Sequence, residues 1–263
     1  MNVTALNALI VEPSAMQAKV IAQACLALGL PEPRHAKSAA EAMEAMYVTR
    51  PDVVISALYL PDSSGTDLVR QMRAHPLLEQ VAFILVSSET NPQALDPVRQ
   101  SGICGIVPKP FTNEQLGRAL DNTLDLLSAE ALTGTEVPLE ELKVLVVDDS
   151  PNARKFIKRV LGNLGVEQFI EAGNGAEAVA ILNDTMVDLV VTDYNMPEMD
   201  GQQLVEHIRH QSWQRSVPVM MVTSESDAGR LAAVQDAGVS GICDKPFEPD
   251  MVRRLLSRML KAN

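Results

Sequence analysis

Short unbroken apolar runs alternate along residues 143–263 with longer stretches of helical periodicity. A continuous apolar run suits a strand buried on both faces, and a 3.6-residue spacing suits a helix with one apolar stripe. The pattern predicts strands at Val144–Val147, Gln168–Glu171, Leu189–Thr192, Val219–Val222 and Gly241–Cys243. Helix starts fall between them. Ser150-Pro151 reads as an N-cap with proline in the first turn, where a missing N–H costs nothing. Asn174-x-x-Glu177 and Ser38-x-x-Glu41 have the spacing of capping boxes. The last helix carries Val252, Leu255, Leu256, Met259 and Leu260 on one stripe. Met220-Met221 is expected in the core, and Trp213 is expected to cover the third helix of this half.

The same pattern occurs earlier in the chain at a constant offset of 136. Leu6–Ser14 lies over Leu142–Ser150, and Pro51–Ala57 over Val187–Asp193. Pro61 falls on Pro197, Gly65 on Gly201, Ser87-Ser-Glu89 on Thr223-Ser-Glu225, and Lys109-Pro-Phe111 on Lys245-Pro-Phe247. A period this long is a duplicated domain, not a solenoid repeat. Five strand–helix units with short loops imply an α/β fold with a doubly wound parallel sheet. The flavodoxin-like order 2-1-3-4-5 is the natural choice. The expected organisation is a domain at residues 1–127, a polar linker at 128–142 and a second domain at 143–263. The first residues of that linker read as the tail of the preceding helix.

Composition removes several function classes. The 263 residues are 46% apolar and 21% charged, enough core for two folded domains and too little charge for disorder. Acid exceeds base in every part: 13 Asp and Glu against 9 Lys and Arg in residues 1–127, 4 against none in 128–142, and 17 against 13 in 143–263. No segment has the basic excess of a nucleic-acid binder, and 3% aromatic content leaves few stacking platforms. Basic Arg254, Arg258 and Lys261 on the last helix are expected to form a solvated face. Cys25, Cys104 and Cys243 have no CxxC spacing, which argues against zinc and a disulfide framework and fits a reducing compartment. The N-terminus lacks a basic signal-like region, and no apolar run approaches a membrane span. The expected location is the cytoplasm.

In an open parallel sheet, ligands bind beyond the carboxyl ends of the strands at the switch point. Four strand ends of the second half deliver chemistry there: Asp148-Asp149, Asp193, Thr223 and Lys245. Three carboxylates converging on one crevice repel one another, so a cation or protons must accompany them. All-oxygen ligands favour Mg²⁺, which can also bridge to a phosphate.

With Asp193-Tyr-Asn-Met-Pro-Glu-Met-Asp-Gly201, residues 143–263 closely resemble the CheY-like receiver domains of two-component response regulators. The resemblance implies that Asp193 accepts a phosphoryl group from a histidine kinase or histidine phosphotransfer protein. It implies that Asp149, Asp193 and the backbone carbonyl of Asn195 bind Mg²⁺, with Asp148 acting mainly through water. Thr223 would hydrogen-bond a phosphoryl oxygen, and Lys245, before a cis proline, would pair with the acceptor and then the phosphate. Asn195 and Glu225 would border the path of the water that removes the phosphate. Ile242 departs from the family, which usually has an aromatic switch residue there; Ile106 is its counterpart in the first half. A dehalogenase-like phosphatase also uses an aspartate and a lysine but needs a second acid where Asn195 stands. A silent scaffold does not explain a complete acidic set. The expected activity is self-phosphorylation and autodephosphorylation without enzymatic turnover. With the chain ending just after the last helix, output is expected through binding a downstream protein, not DNA or membrane.

The first half keeps the fold signature and loses the chemistry. Glu12 stands at the position of Asp148, Pro13 at Asp149 and Ala57 at Asp193, while Ser87 and Lys109 remain. It resembles a pseudo-receiver. Lys109 is expected to pair with Glu12, and the domain is expected to serve as a constitutive binding or homodimerisation module.

Overall fold

The computed structural model describes residues 2–128, 138–224, 228–247 and 249–259. The chain divides into two compact units, Met1–Ser128 and Ala129–Asn263. The first contains β1 (Ala8–Val11), α1 (Ala15–Ala27), β2 (Arg34–Ala36), α2 (Ala39–Val48), β3 (Val53–Ala57), α3 (Gly65–Ala74), β4 (Ala82–Ser87), α4 (Pro92–Arg99), β5 (Gly105–Pro108) and α5 (Asn113–Leu127). The second contains β6 (Lys143–Val147), α6 (Pro151–Asn163), β7 (Gln168–Ala172), α7 (Gly175–Asp184), β8 (Leu189–Asp193), α8 (Gly201–His210), β9 (Val219–Thr223), α9 (Ala228–Asp236), β10 (Gly241–Asp244) and α10 (Pro249–Met259). All strand pairs are parallel. The orders are β2-β1-β3-β4-β5 and β7-β6-β8-β9-β10, the flavodoxin-like arrangement twice in tandem, with helices on both sides.

Central strands β3, β4, β8 and β9 are buried at every residue, whereas edge strands β2 and β7 are exposed or partly buried except at their last residue. Met220 and Met221 are fully buried in β9. Val252 and Leu256 of α10 are buried and Leu255 partly so; Leu260 lies outside the described residues. Arg254 is exposed, and Lys261 lies outside the described residues. The cysteines are all buried and free, and burial pushes the Cys25 thiol up to about 11.

Several sequence expectations need correction. Four of the strands expected in the second half, β7 to β10, extend one residue further toward the carboxyl end, whereas β6 ends at Val147 as expected and starts one residue earlier. The ladder continues past the last apolar residue, pairing Asp193 with Val222 and Asp244 with Thr223. Ser38 and Asn174 do cap α2 and α7 through the N–H of Glu41 and Glu177, but the return contacts are displaced. The two glutamates accept instead from the N–H of Lys37 and Gly173, one residue before the cap. Reciprocal boxes occur at Thr112/Gln115 and Asp200/Gln203. The expected linker is not polar throughout. Residues 129–137 lie outside the described residues, but Leu139–Glu141 forms a 3₁₀ turn with Leu139 buried, mirroring Val3–Ala5 before β1. Trp213 does not cover α8. It is 61% exposed, and its indole N–H donates to the Asn183 carbonyl of α7.

One fastening is repeated. Arg73 of α3 donates to the carbonyls of Glu79, Val81, Ser101 and Gly102, just before β4 and β5. Arg209 of α8 does the same for Arg215, Val217 and Gly238, before β9 and β10. These carbonyls precede strands, and the five donors of a guanidinium let one side chain serve several of them at once.

Candidate functional site

The site of the second unit lies at the carboxyl ends of β6, β8 and β9 and just beyond β10. Asp193 ends β8 and is 1% exposed. Its Oδ1 accepts from the Tyr194 N–H at 2.8 Å. Gly201 opens α8 against this strand end. A Cβ there would stand 2.2 Å from the Asp193 carbonyl oxygen, so only glycine lets the helix approach so closely. Gly65 does the same over Ala57, at 2.4 Å.

Asp148 follows β6 and is fully buried. Its N–H donates to the Ala172 carbonyl, and its Oδ1 accepts from Ser150 N–H at 2.8 Å. Lys245 arrives after β10, ahead of a cis proline, with its own N–H on the Thr223 carbonyl. Its Nζ stands 2.9 Å from Asp148 Oδ2 and 3.0 Å from Asp193 Oδ2, so one ammonium bridges two buried carboxylates. Burial alone would push the Lys245 pKa down, but Asp193 and Asp148 together hold it above the usual lysine value. Burial raises the Asp148 carboxyl above the usual range, and Lys245 only partly offsets that.

Asp149 is exposed at the rim. Ligand oxygens of Asp148, Asp149 and Asp193 all lie within 4.8 Å of one another. Three carboxylates against one ammonium leave an excess of negative charge at a partly open oxygen cluster, a donor set that fits a hard divalent cation. Thr223 is buried at the end of β9, and Asn195 is exposed in the loop after β8. Glu225 lies outside the described residues. Ile242 is partly buried against the apolar cluster of this unit, and Ile106 packs likewise in the first.

The residue patterns that suggested a receiver match that family in both halves. Residues 8–121 and 144–257 each match the response regulator receiver domain. The chain belongs to the response regulator receiver family. Similar proteins include the chemotaxis protein CheY1 of Helicobacter pylori, 39% identical over 125 residues, 46% of this chain and 99% of that protein. The CheY homolog of Campylobacter jejuni is 38% identical over 120 residues, 45% of this chain and 92% of the other. Among solved structures, CheY4 of Vibrio cholerae aligns with a TM-score of 0.42 and 32% identity, over 45% of this chain and 98% of its own. A putative response regulator/GGDEF domain protein aligns over 98% of both chains at 25% identity and a TM-score of 0.43.

The first receiver shows what replaces the acidic cluster. Glu12 is 4% exposed, and its Oε1 accepts from Ser14 N–H as Asp148 does from Ser150. Its Oε2 stands 2.6 Å from Lys109 Nζ. Pro13 is exposed, and Ala57 is buried at the acceptor position. Ser87 Oγ accepts from Glu89 N–H. Tyr59, the counterpart of Asn195, donates its hydroxyl to Glu89 Oε2 at 2.8 Å and so links the loops after β3 and β4.

Sequence reasoning missed that link and two contacts of the strand-1 carbonyls. Arg154 Nη1 donates to the Asp148 carbonyl, and His35 Nε2 lies 2.8 Å from the Glu12 carbonyl. The signal was available at the offset of 136. Arg154 stands over Ala18 and Glu171 over His35, so these pairs change between the halves as the site does.

Proposed function

We propose that the second receiver accepts a phosphoryl group on Asp193 in a phosphorelay, with Mg²⁺ as cofactor. The observation that carries this reading is the Lys245 ammonium bridging buried Asp148 and Asp193 beside a third carboxylate within 4.8 Å. Asp148, Asp149 and Asp193 would hold the cation, with the Asn195 carbonyl as the family pattern suggests. When bound, its chemistry is positive charge against the phosphoryl oxygens. An Asp193 carboxylate oxygen forms the bond to phosphorus. The bond to the donor's imidazole nitrogen breaks, and its electron pair stays on that nitrogen. Lys245 then neutralises negative charge on the phosphoryl oxygens, and the Thr223 hydroxyl donates to one of them. Asn195 and Glu225 border the approach of the water that later cleaves the acyl phosphate.

The donor is a histidine kinase or histidine phosphotransfer protein in the cytoplasm, and the output is the capture of a downstream protein, as in chemotaxis regulators. No helix among the described residues is long and apolar enough to cross a membrane. Ile242 cannot supply an aromatic rotamer flip, so the signal leaves through the loops around Thr223. The first receiver, residues 1–127, has neither acceptor nor second acid and serves as a constitutive binding or dimerisation module. Residues 128–142 join it to the second receiver, residues 143–263.

With acetyl phosphate and Mg²⁺, intact-mass measurement should show one phosphoryl group per chain, and none when Mg²⁺ is removed by chelation. Two groups per chain, or uptake without Mg²⁺, would overturn the assignment. Asn195→Ala and Glu225→Ala should each change the autodephosphorylation rate several-fold, roughly 1 kcal/mol in barrier, while leaving uptake intact. A rate unchanged in both variants removes these residues from the water path.

A further inference from the structure

We propose that Arg154 is a positioning residue for the divalent cation held by the acidic cluster. This inference rests on the phosphoacceptor reading of that cluster. Arg154 lies in the first turn of α6, and its guanidinium spans two elements. Nη1 donates to the Asp148 carbonyl at 2.6 Å, and Nε donates to Glu171 Oε2 on β7 at 2.9 Å. The other Glu171 oxygen accepts from Lys158.

The carbonyl it holds belongs to the peptide that joins the two adjacent acids. That peptide is planar, so fixing the C=O of Asp148 also fixes the N–H of Asp149. The backbone torsions on either side of it decide where the Asp149 carboxylate points. Asp148 is anchored through its N–H on Ala172 and its carboxylate on Ser150 and Lys245. Its carbonyl is the remaining polar group, and the guanidinium takes it. Asp149, at the exposed rim, is the acid whose direction depends most on that peptide.

The first receiver supplies the contrast. Ala18 stands at the position of Arg154 and His35 at the position of Glu171. There His35 Nε2 reaches the Glu12 carbonyl directly, at 2.8 Å. Both receivers therefore hold the strand-1 carbonyl. Only the one with three acids holds it with a guanidinium anchored on a carboxylate. A guanidinium reaches two acceptors in one rigid plane, which a lysine cannot do. It also brings a charge-assisted hydrogen bond and a positive charge to the end of β6.

The test uses the full chain and two readouts: Mg²⁺ affinity by calorimetry without phosphodonor, and acetyl phosphate uptake as a function of Mg²⁺. Arg154→Ala should weaken Mg²⁺ binding about tenfold or more, the range for loss of a residue that orients a ligand. Arg154→Lys should fall between. Glu171→Gln, which loosens the anchor without touching the Asp148 carbonyl, should weaken Mg²⁺ binding to a lesser degree. The uptake rate at saturating Mg²⁺ should stay close to the parent's in all three. Unchanged Mg²⁺ affinity in Arg154→Ala, or a lower maximal rate at unchanged affinity, would overturn the inference and leave Arg154 a structural tie. If Arg154→Ala fails to fold, unchanged affinity in Glu171→Gln overturns it equally. A parent chain that neither binds Mg²⁺ nor takes up phosphate overturns the phosphoacceptor reading itself.

Discussion

Asp193→Ala should lose phosphoryl uptake by at least about a thousandfold, since no other group at the site can replace the nucleophile. Lys245 would keep Asp148 as its partner, so the fold should survive and the loss should be chemical. The informative companion is the double variant Asp193→Ala with Ala57→Asp. It restores an acceptor to the first receiver only, and it should remain silent. Pro13 still offers no carboxylate, and Lys109 stays committed to Glu12 at 2.6 Å. Adding Glu12→Asp and Pro13→Asp to that double variant should bring back Mg²⁺-dependent uptake, read as one phosphoryl group by intact mass. Uptake by the double variant alone would mean that an acceptor is all the first receiver lacks. It would overturn the roles assigned here to Glu12 and Pro13.

Asp148→Asn should raise the stability of the chelator-treated chain by about 1–2 kcal/mol while weakening Mg²⁺ binding. Asp148 is fully buried, and its pKa is raised because burial outweighs the help of Lys245. An asparagine oxygen can still accept from Ser150 N–H, and Lys245 retains Asp193 at 3.0 Å. What disappears is a buried charge and its repulsion from Asp149. The sign of the pH dependence follows. The native carboxyl keeps its proton at higher pH than the unfolded one, so the native state binds more protons in that window. Metal-free stability should therefore rise as pH falls from neutrality through the raised Asp148 value, and this component should vanish in Asp148→Asn. Lys245 acts with the same sign at alkaline pH. Its raised pKa contributes stability that is present below the ordinary lysine value and is lost as pH climbs through the native one. Urea denaturation across pH with chelator present measures both. Destabilisation by Asp148→Asn would show that the Asp148–Lys245 pair outweighs the burial of its charge.

Much of this was legible in the chain. Apolar runs located the strands because central strands of a covered parallel sheet are buried on both faces. At β8 and β10 they stopped one residue short because the last paired positions there are the polar Asp193 and Asp244. Hydrophobicity ends there, while the hydrogen-bond ladder does not. Asp148, Asp149, Asp193 and Lys245 were legible because strand ends in this topology converge on one crevice. The displaced return contacts of Glu41 and Glu177 were not, since the spacing of a capping box does not say which neighbouring N–H the carboxylate will take. Arg154 was not legible either. Its contacts reach Asp148 six residues back and Glu171 seventeen residues on, and only the packed sheet brings those together.

Arg73 and Arg209 grip the start of each sheet's strands, the pole opposite the one where the acids gather. What keeps a domain in shape is therefore spatially separate from what gives it a reaction. One pole can drift under relaxed selection while the other stays under constraint. The two halves agree with that in their own residues: four of the five residues at the acidic pole differ between them, only the lysine being identical, while the arginine is the same. Both copies form the same five-stranded sheet although their acidic poles differ, so this fold tolerates exchange at one pole without a change of topology.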